Sequence, residues 1–166
     1  KFGGDITRVT YHPGFEEVIG WHPIKNKIIF SSNRSDYPGY QELFLISPDG
    51  TGLEKLILHE AARGSFSADG KQIAYNKVSR ENRTWKRYKG GTAQDIYLYN
   101  LETDEETNLS KFEGTDRMPM WIGDKIYFTS DRERFLNIFS VDPASGNIEQ
   151  ITNHKDYDIR RPEFGG

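Results

Sequence analysis

The sequence has 166 residues, of which 35% are hydrophobic and 13% aromatic, enough for the packed core of one ordinary domain. Its 22 lysines and arginines are outnumbered by 25 acidic residues, and the net charge of -3 argues against a nucleic-acid binder that relies on many phosphate contacts. The absence of cysteine excludes disulfides, thiolate chemistry and cysteine-ligated zinc. No segment approaches the roughly 18 apolar residues of a membrane span, so we expect no membrane partner and a cytoplasmic location.

Short segments rich in β-branched and aromatic residues recur along the chain, separated by clusters of Pro, Gly, Asn and Asp, and no window shows a sustained helical period. An alternating segment at 6–10 comes first. After it, a unit of four strands repeats three times: a first strand that ends at an aromatic residue, two apolar strands, and a more polar alternating strand. The aromatic residues that end the first strands are Trp21, Phe66, Trp121 and, in a last partial unit, Phe164. The chain is therefore predicted to be all-β.

Repetition of four short antiparallel strands at intervals of about 45 residues is typical of β-propeller blades. The predicted blades span about residues 16–58, 60–111 and 115–153, the middle one with an insertion at 77–93, and overhanging strands at 5–11 and 157–164 flank them. The third strand of each blade, such as Glu42–Ile46, is apolar on both alternating faces, as expected for a strand packed between neighbouring blades. We expect the first strands to line the central channel and the last strands to form the outer rim.

Three complete blades are too few to close a propeller, since closed propellers have four or more. An open arc would expose the flat apolar sides of its terminal blades to water, which soluble monomers rarely do. The sequence thus predicts half of a six-bladed propeller, completed either by further chain or by dimerisation with a second copy.

Two sets of motifs connect the sequence to known propellers. The segment Phe66–Tyr75, which follows the pattern aromatic-Ser-x-Asp-Gly-Lys-x-Ile-Ala-Tyr, and the tripeptide Ser130–Arg132 resemble the TolB and WD40-like propeller repeat. A narrower resemblance lies in Thr84–Thr92, Thr-Trp-Lys-Arg-Tyr-Lys-Gly-Gly-Thr, which together with Pro119–Trp121 and His154–Asp158 is similar to the first propeller of tricorn-type proteases. This second resemblance extends over nearly the whole chain.

The resemblance implies a non-catalytic propeller portion of a large cytosolic serine peptidase, in which the propeller acts as a gate or scaffold for peptide passage and for subunit contacts. The expected partners are peptides, other domains or subunits of the parent protease, and further copies of the chain; no cofactor is implied. The archetype of that family uses an arginine pair from this propeller to hold substrate C-termini, but the corresponding loop at 12–18 is shorter and acidic, so this role is not carried over. The alternative is a stand-alone TolB-like protein-interaction module, or an engineered half-propeller that assembles with itself.

Four arginines lie near the start of a predicted first strand and are candidates for binding peptide carboxylates. Counting back three or four residues from the aromatic ends of these strands gives Arg63, Arg117, Arg160 and Arg161. If the first strands line the channel, these guanidinium groups gather near one mouth, where they can form bidentate hydrogen bonds with carboxylates. The structural alternative, which the sequence favours, is that neighbouring aspartates neutralise each arginine.

The insertion in the middle blade carries a second group of candidate contact residues. They are the basic and aromatic residues Trp85, Lys86, Arg87, Tyr88 and Lys89. Stacking and charge would suit these residues to a lip that binds peptides or acids. Alternatively, the insertion is a docking loop that packs on the next blade or on another subunit. Its composition also fits single-stranded nucleic acid, but the negative net charge makes that interpretation a poor one.

We expect no catalysis from these residues. Nucleophilic hydrolysis needs a nucleophile, a base and an orienting group, and the sequence has no Gly-x-Ser-x-Gly elbow. Its four histidines, His12, His22, His59 and His154, fall at turns or strand ends. No His-x-x-x-His pair or clustered carboxylate loop predicts a metal site.

Overall fold

A computed structural model of the chain describes residues 4–34, 39–79 and 86–164. Within these residues the secondary structure consists of twelve β-strands, and no helix is present. The strands are β1 Glu16–Trp21, β2 Ile28–Ser32, β3 Glu42–Ile46, β4 Glu54–Lys55, β5 Arg63–Phe66, β6 Gln72–Asn76, β7 Tyr97–Asn100, β8 Glu105–Asn108, β9 Asp116–Ile122, β10 Lys125–Glu133, β11 Phe135–Val141 and β12 Ile148–Gln150. The all-β prediction is confirmed.

The strands form three separate four-stranded sheets, with the orders β1-β2-β3-β4, β5-β6-β7-β8 and β9-β10-β11-β12. Every neighbouring pair is antiparallel. Each sheet is a meander in which consecutive strands pair, and this is the arrangement of a propeller blade. The prediction of three four-stranded antiparallel blades is confirmed, and we refer to the sheets as blades 1, 2 and 3.

Apolar side chains fill the two spaces between successive blades. Between blades 1 and 2, Leu43 and Leu45 of β3 pack with Ile73 and Tyr75 of β6. Strand β3 is buried along its whole length because its other face carries Phe44 and Ile46, which accounts for its continuous run of apolar residues.

The space between blades 2 and 3 is filled in the same way. Ala74 and Ile96 of blade 2 contact a cluster that includes Ile126, Phe128 and Phe139 of blade 3. The rings of Phe128 and Phe139 are stacked, with their centroids 6.2 Å apart. Phe128 has no solvent-exposed surface, so burial of this side chain contributes strongly to holding the two blades together.

The outer side of blade 1 is covered only in part. Phe30, Phe44 and Ile46 form a third apolar cluster there, and Val9 from the N-terminal segment packs against it. A groove of about 280 Å³ remains beside this segment, lined by Val18 and other apolar residues of the blade. Val18 is 67% exposed. This is the apolar side that the sequence predicts for a terminal blade.

The two overhanging segments differ from their predicted secondary structure. Residues 5–11 and 157–164 are not strands, because within the described part of the chain neither segment has a strand with which to form a hydrogen-bonded ladder. The later segment is nevertheless anchored, since the Ile159 N–H donates to the Leu136 carbonyl oxygen at 2.8 Å.

The polar connection between blades 2 and 3 is centred on Asn76, which has no exposed surface. Its side-chain amide donates to the carbonyl oxygens of Asp95 at 2.7 Å and Asp116 at 3.0 Å. Its carbonyl oxygen accepts from the Met118 N–H at 2.9 Å. One side chain thereby satisfies backbone groups of both blades that would otherwise be buried without partners.

Candidate functional site at the central channel and the insertion

The first strands of the three blades stand side by side and enclose a cavity of about 510 Å³. Its wall combines apolar and charged side chains, and it includes residues of β1, β5 and β9 together with the C-terminal segment 161–164. Among these wall residues are Trp21, Arg63, Trp121, Arg161 and Phe164. The cavity lies where the sequence predicts the central channel of the propeller.

Arg63 is part of this wall but is already paired. Its Nη2 atom lies 2.5 Å from Oε1 of Glu17, so an ion pair joins the first strands of blades 1 and 2. The Arg63 side chain is only 14% exposed. For this arginine the structure shows neutralisation by a neighbouring acid, although the acid is a glutamate rather than one of the aspartates.

Strand register shows why counting from the aromatic residues does not give equivalent arginines. Arg63 pairs across the sheet with Asn76, and the residues at the same position in blades 1 and 3 are Glu16 and Asp116. Strands β1 and β9 carry a register shift that β5 lacks, with Met118 at a φ of 60°. An extra residue of this kind, a β-bulge, shifts every position that precedes it by one.

The position taken by Arg63 holds an acid in the other two blades, where each acid pairs with an arginine two residues beyond its cross-strand partner, Ser32 or Ser130. Asp116 contacts Arg132 at 2.7 Å, and Glu16 contacts Arg34. The Arg132 guanidinium also lies over the ring of Phe139, 5.1 Å from its centroid. These arginines brace their own blades through ion pairs and cation–π contacts.

Asp116 is the most strongly perturbed carboxyl group of the blade 2–blade 3 junction. Burial disfavours its charged form and raises its pKa to about 6, while Arg132 and hydrogen bonds from Ser130 and Ser110 oppose the shift. The nearby carboxylate of Asp95 raises the pKa further. This group therefore changes charge within the range of ordinary assay conditions.

The other three candidate arginines occupy different surroundings. Arg117 is buried, with 7% of its surface exposed. Arg160 is exposed and lies 3.7 Å from a carboxylate oxygen of Asp158. Arg161 lines the central cavity. The structure thus brings Arg63 and Arg161 to the channel wall, whereas Arg117 and Arg160 are not among the residues that line the cavity.

The described part of the insertion contacts blade 3. Lys86 Nζ lies 2.7 Å from Oδ2 of Asp158, and the Arg87 Nε–H donates to the Arg134 carbonyl oxygen at 3.4 Å. Lys89 pairs with Glu113 at 3.1 Å. Trp85 lies outside the described residues, and Tyr88 is half-buried beside Gly90, where an added Cβ would meet the tyrosine hydroxyl oxygen at 2.5 Å.

Asp158 connects the insertion to the C-terminal segment. Its side chain is only 7% exposed, and it accepts hydrogen bonds from Lys86 and, at 3.1 Å, from the Leu136 N–H. Burial alone would raise the pKa of Asp158, but these donors reverse the effect and lower it. Because Asp158 precedes the channel-lining residues 161–164, the insertion is linked to the wall of the channel.

Comparison with known proteins identifies the family. Residues 2–166 match the family described as the tricorn protease N-terminal β-propeller domain. The chain belongs to this family. The chain is 28% identical to the tricorn protease of Thermoplasma acidophilum over 93% of the chain's length. It is also 28% identical to a tricorn protease homolog of Saccharolobus solfataricus, over 100% of the chain's length. It spans about one-sixth of the length of these relatives, 15% and 16% respectively.

Solved structures place the tricorn-family chain among the propellers. The crystal structure of the tricorn protease superposes with a TM-score of 0.80 and 26% identity over 94% of the chain, which is 16% of that protein. TolB from Acinetobacter baumannii superposes with a TM-score of 0.68 over 90% of the chain and 35% of that protein. At 21% identity, the TolB likeness shows the shared fold alone.

Two of the four histidines of this tricorn-family propeller, His12 and His22, accept hydrogen bonds from backbone N–H groups of the turns that follow them. The Nδ1 atom of His22 accepts hydrogen bonds from the N–H groups of Ile24 and Lys25, and burial lowers its pKa. His12 Nδ1 accepts from the Gly14 N–H at 3.0 Å. In both cases the imidazole caps a turn rather than orienting a nucleophile.

Two kinds of feature are absent from the described residues. No group of three or more histidine, aspartate or glutamate side chains is placed to hold a metal ion. No helix long and apolar enough to cross a membrane occurs there.

Proposed function

We propose that the chain is a non-catalytic part of the propeller of a tricorn-like serine protease, where it acts as a gate or scaffold for peptide passage and for contacts with other subunits. The central cavity is the observation that carries this proposal. It is bounded by first strands from all three blades, so an extended peptide inside it would touch each blade. A cytoplasmic location is part of the proposal and follows from the resemblance to cytosolic peptidases.

The chemistry of the wall suits a peptide whose carboxyl terminus is free. Trp21 and Phe164 are 58% and 61% exposed, which gives the cavity apolar surfaces for peptide side chains. Arg161 supplies a guanidinium group on the same wall and would donate to the terminal carboxylate. Arg63 lies on the same wall and is paired with Glu17.

Peptide entry can be followed through the tryptophans of the wall. In a Trp85→Phe background, Trp21 and Trp121 remain as reporters, and a short alanine-rich peptide with a free carboxyl terminus should change their fluorescence in a saturable way. Arg161→Ala should weaken binding by about tenfold, and amidation of the peptide should have the same effect. The adjacent substitution Arg160→Ala is the matched control, because that side chain pairs with Asp158 instead of lining the cavity.

Two results would contradict the proposal. If the peptide leaves the tryptophan fluorescence unchanged at millimolar concentration, the cavity does not admit peptides. If the chain itself cleaves peptides with turnover, the assignment of a non-catalytic part is wrong.

The exposed outer side of blade 1 supports the self-association that forms part of this proposal. Its groove and the exposed Val18 present an apolar surface that further blades or a second copy would cover. Sedimentation of the chain, whose mass is 19.2 kDa, should give about twice that mass at high concentration. A chain that sediments as a single monomeric species at every concentration would exclude closure by two copies.

A further inference from the structure

We propose that the described part of the insertion, blade 3 and the C-terminal segment together form a cationic docking surface for an acidic segment of a partner protein. The surface consists of Lys86, Arg87, Arg134 and Arg160, and we call it the basic face. The inference deepens the proposed contact role of this chain and rests on it, since it assigns a chemical character to one of the partners.

Three segments that are far apart in sequence build the basic face. Lys86 and Arg160 approach the same carboxylate oxygen of Asp158, at 2.7 Å and 3.7 Å. Arg87 is bound to the backbone of Arg134 at 3.4 Å, and Arg134 immediately precedes Phe135, whose ring centroid lies 5.8 Å from the Lys86 ammonium. The insertion therefore brings its two cations next to Arg134 of blade 3 and Arg160 of the C-terminal segment.

The basic face holds four cations, and Asp158 is the carboxylate that pairs with two of them. Asp158 is 7% exposed, whereas the side chains of Lys86 and Arg160 are 51% and 57% exposed. The acid thus lies under the cations, which present their remaining donors to solvent. Arg87 and Arg134 are exposed as well. Nearby Lys89 is not part of the basic face, because Glu113 pairs with it.

The backbone fixes two of the cations in unusual conformations. Arg87 and Arg134 have φ values of 55° and 79°, in the left-handed region that non-glycine residues rarely adopt. The Arg134 N–H donates to the Asp131 carbonyl oxygen at 2.9 Å, which closes a turn at this position. The hydrogen bond from Arg87 to the Arg134 carbonyl oxygen joins these two backbone positions, which reduces the ordering that a partner must impose on binding.

The surroundings of the basic face favour an acidic protein segment over a nucleic acid. Single-stranded nucleic acids bind through aromatic rings that are open for base stacking. Here Tyr88 is half-buried beside Gly90 and Phe135 is half-buried under Lys86. The chain as a whole carries a net charge of -3, which repels a long polyanion but not a short acidic stretch. Carboxylates can form bidentate pairs with the two exposed guanidiniums.

Fluorescence anisotropy with a labelled hexaglutamate peptide tests the inference. Binding should be measurable at low salt and should weaken as the ionic strength rises to about 1 M, where the screening length falls to about 3 Å. The double variant Arg87→Ala/Arg134→Ala should bind about tenfold more weakly. It leaves the contacts of Asp158 with Lys86 and Leu136 intact, and neither substituted residue lines the central cavity. If hexaglutamate does not bind while the alanine-rich peptide still binds in the channel, the result therefore contradicts this inference and leaves the proposed function standing.

Matched controls separate a docking surface from general charge. Lys25→Ala/Lys71→Ala removes the same number of positive charges from blades 1 and 2, where these lysines face Glu54 and Glu102, and should change hexaglutamate affinity by less than about twofold. Equal losses from both double variants would overturn the inference, and so would the absence of binding at low salt. Tighter binding of a single-stranded oligonucleotide with the same charge would replace it with a nucleic-acid site.

Discussion

Replacing Asp116 with asparagine should remove part of the dependence of stability on pH. In the folded chain the pKa of Asp116 is raised to about 6 from its ordinary value of 3.8, so the folded state binds the proton more tightly than the unfolded state does. The stabilising contribution of this group is therefore present below about pH 4 and is lost as the pH rises through about 6. Asparagine cannot ionise, so the variant does not undergo this loss.

The size of the effect follows from the shift of about two pKa units. One unit corresponds to about 1.4 kcal/mol, so complete ionisation costs about 3 kcal/mol in unfolding free energy. Between about pH 4.5 and about pH 8, the accessible part of this change is about 2 kcal/mol. The unfolding free energy of Asp116→Asn, relative to that of the parent chain, should therefore rise by about 2 kcal/mol as the pH rises from about 4.5 to about 8.

Urea unfolding of both proteins at a series of pH values measures the difference directly. Asp124→Asn, an exposed substitution in the same blade, controls for the general loss of one negative charge. If the free-energy difference between Asp116→Asn and the parent is constant with pH, the burial argument fails. If the difference instead decreases as the pH rises, the ion pair with Arg132 outweighs the cost of burial.

Three further substitutions test the contacts between blades. Phe128→Ala should lower the unfolding free energy by about 3 to 5 kcal/mol, seen in urea melts, because a fully buried ring is lost. Asn76→Ala should cost at least about 2 kcal/mol in the same assay, since three buried backbone groups lose their partner. Lys86→Ala should speed hydrogen exchange at the Ile159 amide about threefold, because the ion pair with Asp158 helps to hold that segment.

Each of these predictions has its own control. Phe164→Ala, at a ring that is 61% exposed, should cost much less than Phe128→Ala. Changes of less than about 1 kcal/mol for either Phe128→Ala or Asn76→Ala would contradict the packing described between blades 2 and 3. Lys89→Ala removes an equivalent ion pair with Glu113, and equal exchange at Ile159 in both lysine variants would show that Lys86 does not anchor the segment.

The blades could be predicted from sequence because their signal is repeated and local. Strand β3 has the predicted bounds Glu42–Ile46, since an unbroken apolar run between turns specifies a buried strand. The bulges in β1 and β9 were not predicted, because counting back from the aromatic residues assumes the same number of residues in every first strand. That single-residue difference is why Arg63 and Arg117 lie in different environments despite their similar distances from an aromatic residue.

The contacts of the insertion were only partly accessible from sequence. Its place between the second and third strands of the middle blade follows from the repeat, and packing on the next blade was one of two alternatives. The pairing of Lys86 with Asp158 was not predictable, because it depends on how two distant segments meet in space. Local patterns specify strands and turns, whereas such long-range pairs are determined by the packing of whole blades.

The N-terminal segment has a consequence for assembly that follows from its position. Val9 already covers part of the apolar cluster formed by Phe30, Phe44 and Ile46, which is the surface that a neighbouring blade would use. A second copy must therefore compete with a segment of the same chain, whose effective concentration at that surface is in the millimolar range or above. The segment 8–10 thus acts as an intramolecular competitor, and only a partner that binds more strongly than this tethered segment can extend the propeller from blade 1.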